Sequence, residues 1–298
     1  VTVTGPGSDT LMLNSGALLS TGAAANNTEL TGFAGITTAT NNEYVFFVTN
    51  NQFTLGSPLT TSAAALTKSG AGVLVLNGLT GNTYAGGTFF NQGLIEAGAL
   101  GDLGSGNLNF FGGGLRWATG ATFDISARTV LLGTGGATFD TNGNNVAFAN
   151  SLGSGAGALT KDGLGVLTLN ATSTLTGGTN VNAGTLALGA AGAIGTGALS
   201  LTNNGTLALG AGTGAANQTV SQLSGASTSS IVGGDAVASV LTVDQSTAST
   251  FAGNLGGAGA NQNNFGLTKT GVGSLTLSGA TLSYAGPTVV NAGTLNLA

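Results

Sequence analysis

Leu66-Thr67-Lys68-Ser69-Gly70-Ala71-Gly72-Val73-Leu74-Val75-Leu76 is the stretch from which the fold can be read. It returns as Leu159-Thr160-Lys161-Asp162-Gly163-Leu164-Gly165-Val166-Leu167-Thr168-Leu169. It returns again as Leu267-Thr268-Lys269-Thr270-Gly271-Val272-Gly273-Ser274-Leu275-Thr276-Leu277. In each copy apolar residues recur at the two-residue period of a strand with one buried face, around a Gly-x-Gly turn. All three lysines of the chain, Lys68, Lys161 and Lys269, occupy one repeat position. The glycine pairs Gly70/Gly72, Gly163/Gly165 and Gly271/Gly273 occupy another.

A second block follows each copy. Tyr84-Ala85-Gly86-Gly87-Thr88 leads to Asn91-Gln92-Gly93-Leu94, and Leu175-Thr176-Gly177-Gly178-Thr179 leads to Asn182-Ala183-Gly184-Thr185-Leu186. Tyr284-Ala285-Gly286-Pro287-Thr288 leads to Asn291-Ala292-Gly293-Thr294-Leu295. The lysines are 93 (161 minus 68) and 108 (269 minus 161) residues apart. The difference of 15 has roughly the size of one inserted solenoid turn. Between the blocks lie short alternating runs such as Leu108-Asn109-Phe110, Leu199-Ser200-Leu201 and Leu241-Thr242-Val243. Gly, Asn and Ser-Gly turns separate them every eight to twelve or so residues.

A sandwich and a solenoid both fit that spacing. Very short strands, turns at matching repeat positions (Gly104-Ser105-Gly106 and Gly195-Thr196-Gly197) and inward Leu, Val and Ala without bulky aromatics favour the solenoid. The expectation is an all-β parallel solenoid, single and continuous over residues 1–298, with signatures near 66–110, 159–201 and 267–298. At roughly 20 residues per coil it would make about 15 coils.

Composition agrees. Of 298 residues 55 are Gly and only 5% are charged, against averages of about 7% and about 25%. Gly without a strict triplet period, and only 3 Pro, exclude collagen. Breakers every few residues exclude long helices, and a positive mean hydropathy argues against disorder. A net charge of −5 with five basic residues removes nucleic acid as a partner. No apolar run is long enough to span a membrane as a helix. With neither His nor Cys there is no imidazole base, thiolate or His-ligated metal. No cofactor is expected. Val1-Thr2-Val3-Thr4 carries no signal peptide, so the chain reads as a processed or excised piece.

The Leu-Thr-Lys-x-Gly-x-Gly-x-Leu-x-Leu block, followed by Tyr-x-Gly-Gly-Thr and Asn-x-Gly-Thr-Leu, resembles the autotransporter-associated β-strand repeat of bacterial surface-protein passenger regions. Phe139-Asp140-Thr141-Asn142-Gly143-Asn144 is similar to that family's lead-in, as is the segment from Leu11 to Lys68. The resemblance implies a right-handed parallel β-helix, extracellular and carried on a bacterial surface. Family members often end in a membrane-embedded β-barrel translocator. Here no series of amphipathic strands with aromatic girdles appears, and the chain stops inside its third repeat, at Leu297-Ala298. A fragment of something longer is therefore expected, acting as a non-catalytic stalk or adhesive segment. The alternative is a self-assembling filament or sheath subunit stacking end to end, since both terminal segments read as uncapped strands. Cell-surface or matrix polysaccharide is a possible partner.

Candidate chemistry is sparse. The lysines read as structural, each covering the rod with its aliphatic stem at a turn. Gly120-Ala121-Thr122-Phe123-Asp124 and Gly136-Ala137-Thr138-Phe139-Asp140 could stack Asp124 on Asp140, near Arg116 and Arg128, in a polysaccharide-cleaving enzyme. The plainer reading of Asp140 is a turn residue. Gly233-Gly234-Asp235 is half of a calcium nonapeptide that nothing repeats. Trp117 with the Phe46-Phe47 and Phe110-Phe111 pairs could form a sugar-stacking patch, or plug the core. Scattered Thr-x-Thr pairs fall short of an ice-binding ladder. Sequons at Asn26, Asn170, Asn204 and Asn217 carry no weight in a bacterial protein.

Overall fold

The computed structural model describes residues 2–22, 27–39, 43–76, 81–279 and 281–298; Val1 and Asn26 lie outside them. Two compact units divide the chain, Val1–Asn142 and Gly143–Ala298. Each is a stack of coils whose strands pair in parallel.

In the first unit one long face carries seven parallel strands, from Thr2–Thr4 through Gln52–Gly56 and Leu94–Ala97 to Ala137–Asp140. A second face carries six, from Ala17–Ser20 through Ala65–Ser69 to Val130–Leu132. A third is shorter, Thr10–Leu13 beside Gly35–Thr38, extended by a bridge from Ile36 to Leu59. The second unit repeats the plan. Seven strands run from Leu159–Asp162 to Thr294–Leu297, six from Val146–Phe148 to Asn254–Leu255, and four from Gln218–Val220 to Thr288–Val290. Among the described residues the helical element is a single 3-10 turn, Leu100–Leu103, and no helix is long and apolar enough to cross a membrane.

The alternating sequence explains the stack. In Leu108–Phe110 the outer two residues point inward and Asn109 outward, and Leu199–Leu201 does the same. Each inward residue rests on its counterpart one turn away: Leu186 on Leu207, Leu207 on Ile231, Ile231 on Leu255. Interior strands are hydrogen-bonded on both sides, so the backbone is satisfied without leaving the stack. Gly104 and Gly195 take positive φ at matching corners. There Ser105 N donates to Tyr84 O (3.0 Å) and Thr196 N to Leu175 O (3.3 Å).

Two expectations need correction. A turn takes between 19 (185 minus 166) and 28 (45 minus 17) residues among the described strands, so roughly 20 was near the lower limit. The core of the first unit is also rich in aromatics, with Phe46, Phe90, Phe110, Phe139 and Trp117 fully buried. Parallel stacking accommodates them, because flat rings on adjacent rungs lie face to face at about the strand spacing. Phe90 and Phe110 stack with centroids 4.2 Å apart and planes 10° apart, and Phe139 meets Phe110 edge-on at 5.3 Å.

Phe110→Ala should therefore cost about 3–5 kcal/mol. Because stability in a stacked array is local, hydrogen exchange should show the loss concentrated in Val1–Asn142, with the second unit's protection unchanged.

Candidate functional site

The lysines do not lie along the surface. Lys68, Lys161 and Lys269 are each 0% exposed, a correction to the stem-on-surface expectation. Strand alternation forces this: Lys68 shares the inward column of Phe46 and Phe90, and Lys269 that of Val243 and Val290. A buried ammonium needs partners. Each finds three backbone carbonyls, two from its own turn and one from the next. Lys68 Nζ donates to Ser69 O (2.9 Å), Gly70 O (2.7 Å) and Gln92 O (3.0 Å). Lys161 Nζ donates to Asp162 O (2.8 Å), Gly163 O (2.7 Å) and Ala183 O (3.1 Å). Lys269 Nζ donates to Thr270 O, to Gly271 O (2.8 Å) and to Ala292 O (3.4 Å).

The glycines make these cups possible. Gly70, Gly163 and Gly271 have φ of 79°, 70° and 72°, which fold the strand's last carbonyls back over the ammonium. A Cβ at Gly72, Gly165 or Gly273 would sit 2.4, 2.1 or 2.3 Å from a carbonyl of the preceding turn. On the far side, a Cβ at Gly184 would stand 2.9 Å from Lys161 Nζ, and one at Gly293 3.0 Å from Lys269 Nζ. The two sequence blocks are thus two walls of one cup. Burial pulls the Lys68 ammonium down to about 8. It also lowers that of Lys269, against the opposing pull of Asp244.

The second block holds another contact. Tyr84 and Thr88 hydroxyls meet at 3.0 Å, and Tyr284 and Thr288 hydroxyls at 2.5 Å. In the middle copy Leu175 replaces the tyrosine, and the buried Thr179 hydroxyl has no hydrogen-bond partner among the described residues.

The copies do not share one face of the solenoid. In the second unit the Lys161 strand belongs to the long face and the Lys269 strand to the four-stranded face. Five turns after Leu159 the long face has reached Leu275, 116 residues on (275 minus 159), and Leu267 precedes it by one face. The shortest turn among the described strands takes 19 residues (185 minus 166), so a difference of 15 falls short of one inserted turn.

The remaining candidates separate. Asp140 stands beside Arg116 in register, not beside Asp124. Arg116 Nε lies 3.2 Å from Glu96 Oε2 and 3.8 Å from Asp140 Oδ2, a three-rung charge ladder. Asp124 Oδ1 accepts from Ser126 N (2.6 Å) and Asp140 Oδ1 from Asn142 N (2.9 Å), so both cap turns. Arg128 donates to Leu103 O and Gly104 O. Asp235 accepts from Gly214 N (2.9 Å) and Val237 N (3.1 Å), and these backbone bonds hold its carboxyl below the usual range. No group of three or more His, Cys, Asp or Glu that could hold a metal occurs among the described residues. Trp117, Phe46 and Phe110 are core residues, whereas Phe47 and Phe111 face outward. Phe111 stacks on Phe89 at 6.5 Å.

One cleft escaped the sequence reading. On the outer side of the second unit's six-stranded face, Thr185, Thr206, Ser230 and Asn254 pair on successive rungs. Thr281 N extends the row by donating to Asn254 Oδ1 (3.2 Å). The loop from Gly256 to Gln262 overhangs this row. It is braced by Gly257 N donating to Asn263 Oδ1 (2.8 Å) and Gly259 N to Gln262 Oε1 (2.9 Å). A cleft of about 530 Å³ lies between them.

Residues 66–97, 159–188 and 267–297 match the passenger-associated-transport repeat. The three segments are repeats of that kind, and the chain carrying them is similar to a curated autotransporter. It is 34% identical over 172 residues to the adhesin BmaC autotransporter of Brucella suis biovar 1 (strain 1330). That alignment covers 56% of this chain and 5% of the adhesin. No solved structure matches the chain.

Two outcomes test the cups and the tyrosine contact. Lys68→Met leaves three carbonyls facing an apolar side chain, and should destabilise the first unit by about 3 kcal/mol at neutral pH in urea unfolding. The Lys68 ammonium titrates near 8 when folded and near 10.5 when unfolded. Between those values the unfolded chain holds the extra proton, so the stability of the native chain relative to Lys68→Met should rise with pH across that window. Thr179→Val, which removes an unpartnered hydroxyl, should stabilise by about 1 kcal/mol, and Thr88→Val, which removes the bonds of the Thr88 hydroxyl to Tyr84 and to Leu103 O, should destabilise by a similar amount. Thermal unfolding of the two variants reads the opposite signs.

Proposed function

We propose that this chain is a non-catalytic adhesive segment of a secreted bacterial cell-surface protein, a repeat stalk whose lateral surface meets other surfaces. The observation that carries the reading is the array of three passenger repeats, each locked by a lysine cup, in a chain similar to a protein named an adhesin. A rigid scaffold of short ladders with few charged residues suits display. The separation of Asp124 from Asp140 in register weighs against a polysaccharide-cleaving enzyme, and the similarity to an adhesin favours adhesion over an end-to-end filament. Polysaccharide on a cell surface or in a matrix is the partner class we favour.

Beads coated with the chain should adhere to eukaryotic cell monolayers or extracellular matrix several-fold above albumin-coated beads. Equal adhesion on both would remove the adhesive reading.

A further inference from the structure

We propose that the cleft beneath the Gly256–Gln262 loop is a binding subsite for a neutral, hydroxyl-rich saccharide. The proposal rests on the adhesive reading and assigns it a location and a ligand class. Thr206, Ser230, Asn254, Gln262, Thr281 and Ser283 supply the polar lining, and among the described residues no ionisable side chain contributes to it. An anionic glycan would bury its carboxylate or sulfate there without a cation, at a large desolvation cost. A cationic ligand would likewise lack a counter-charge.

The lining also has hydrogen-bonding capacity to spare. Ser283 Oγ donates to Asn263 Oδ1 (3.0 Å), Asn254 Oδ1 accepts from Thr281 N, and Gln262 Oε1 accepts from Gly259 N. Among the described residues, the hydroxyls of Thr206, Ser230 and Thr281, Asn254 Nδ2 and Gln262 Nε2 engage no protein group. Hydroxyls both donate and accept, and amide nitrogens donate, the mixture that a sugar's own hydroxyls require. Val232, in the same lining, offers an apolar patch for the C–H face of a ring.

Geometry favours an oligosaccharide over a peptide. The floor strands that carry Thr206 and Ser230 are paired on both sides, and the one that carries Asn254 is bridged on its far side by Leu282, so an added strand cannot pair with these three. Successive rungs repeat at about 4.8 Å, close to the length of one pyranose unit in an extended chain. Consecutive sugars can therefore meet Thr206, Ser230, Asn254 and Thr281 in turn. The volume of about 530 Å³ falls within the roughly 300–1,000 Å³ of small-molecule sites. Because ladder and braced loop hold the lining in place, little ordering is required on binding.

The test is calorimetric titration of the full chain with neutral hexasaccharides of glucose, mannose, galactose and N-acetylglucosamine, and with hexagalacturonate as the anionic contrast. At least one neutral oligomer should bind saturably and hexagalacturonate should not. Asn254→Ala should weaken binding about five- to tenfold, and Ser230→Trp, which fills the cleft, should abolish it. Thr250→Trp, exposed on the long face of the same unit, should bind like the native chain. Circular dichroism checks folding, and if Ser230→Trp does not fold, Asn254→Ala alone decides. Absence of binding to every neutral oligomer, or native binding by Asn254→Ala and Ser230→Trp, overturns the proposal. Beads carrying Ser230→Trp separate it from the broader reading. If they adhere as well as native beads, adhesion stands and the cleft falls. If native beads do not adhere at all, adhesion falls and the titration alone judges the cleft.

Discussion

Register between successive turns is the constraint from which the other features follow. A parallel ladder places every inward side chain directly over its counterpart about 4.8 Å away. A slip of one residue would turn the whole inward set to solvent. Leucine on leucine and phenylalanine on phenylalanine satisfy that demand by shape, but apolar contact is non-directional and tolerates sliding. The lysine cups add direction. An ammonium at Lys68 reaches Gln92 O only when the two turns are aligned, and the same holds for Lys161 with Ala183 O and Lys269 with Ala292 O. Burying a charge is costly. Burial pulls the Lys68 ammonium down, and three carbonyl partners stand against that cost.

The same alignment explains why glycine recurs where it does. Carbonyls can converge on an ammonium only if the chain bends sharply beside it and nothing protrudes into the cup. Gly70 supplies the bend through its positive φ, and Gly184 the clearance. Conformational freedom and absence of bulk are two separate uses of one residue type. The repeat therefore needs two glycine positions one turn apart.

Much of this was legible in the sequence. Alternation at Leu108-Asn109-Phe110 and Leu199-Ser200-Leu201 gave strands with the expected inward faces, and the recurrence of one undecapeptide gave the stack. The lysines were misplaced because Lys is almost never fully buried, and a general preference outweighed the local alternation that put them inside. A usable signal was present: Gln92, Ala183 and Ala292 follow their lysines by 24, 22 and 23 residues (92 minus 68, 183 minus 161, 292 minus 269), about one turn. Asp124 and Asp140 illustrate the opposite error. Matching pentapeptides suggested stacking, but their offset of 16 (140 minus 124) is shorter than any described turn, and the 24-residue register there (140 minus 116) puts Arg116 beside Asp140. The cleft left no sequence trace, because Thr206, Ser230, Asn254 and Thr281 belong to different turns and share no motif.

Because the Lys161 and Lys269 copies sit on different faces of the second unit, the repeat is indifferent to azimuth. One interior arrangement, an ammonium under converging carbonyls, thus closes equally well at two angular positions around the same stack.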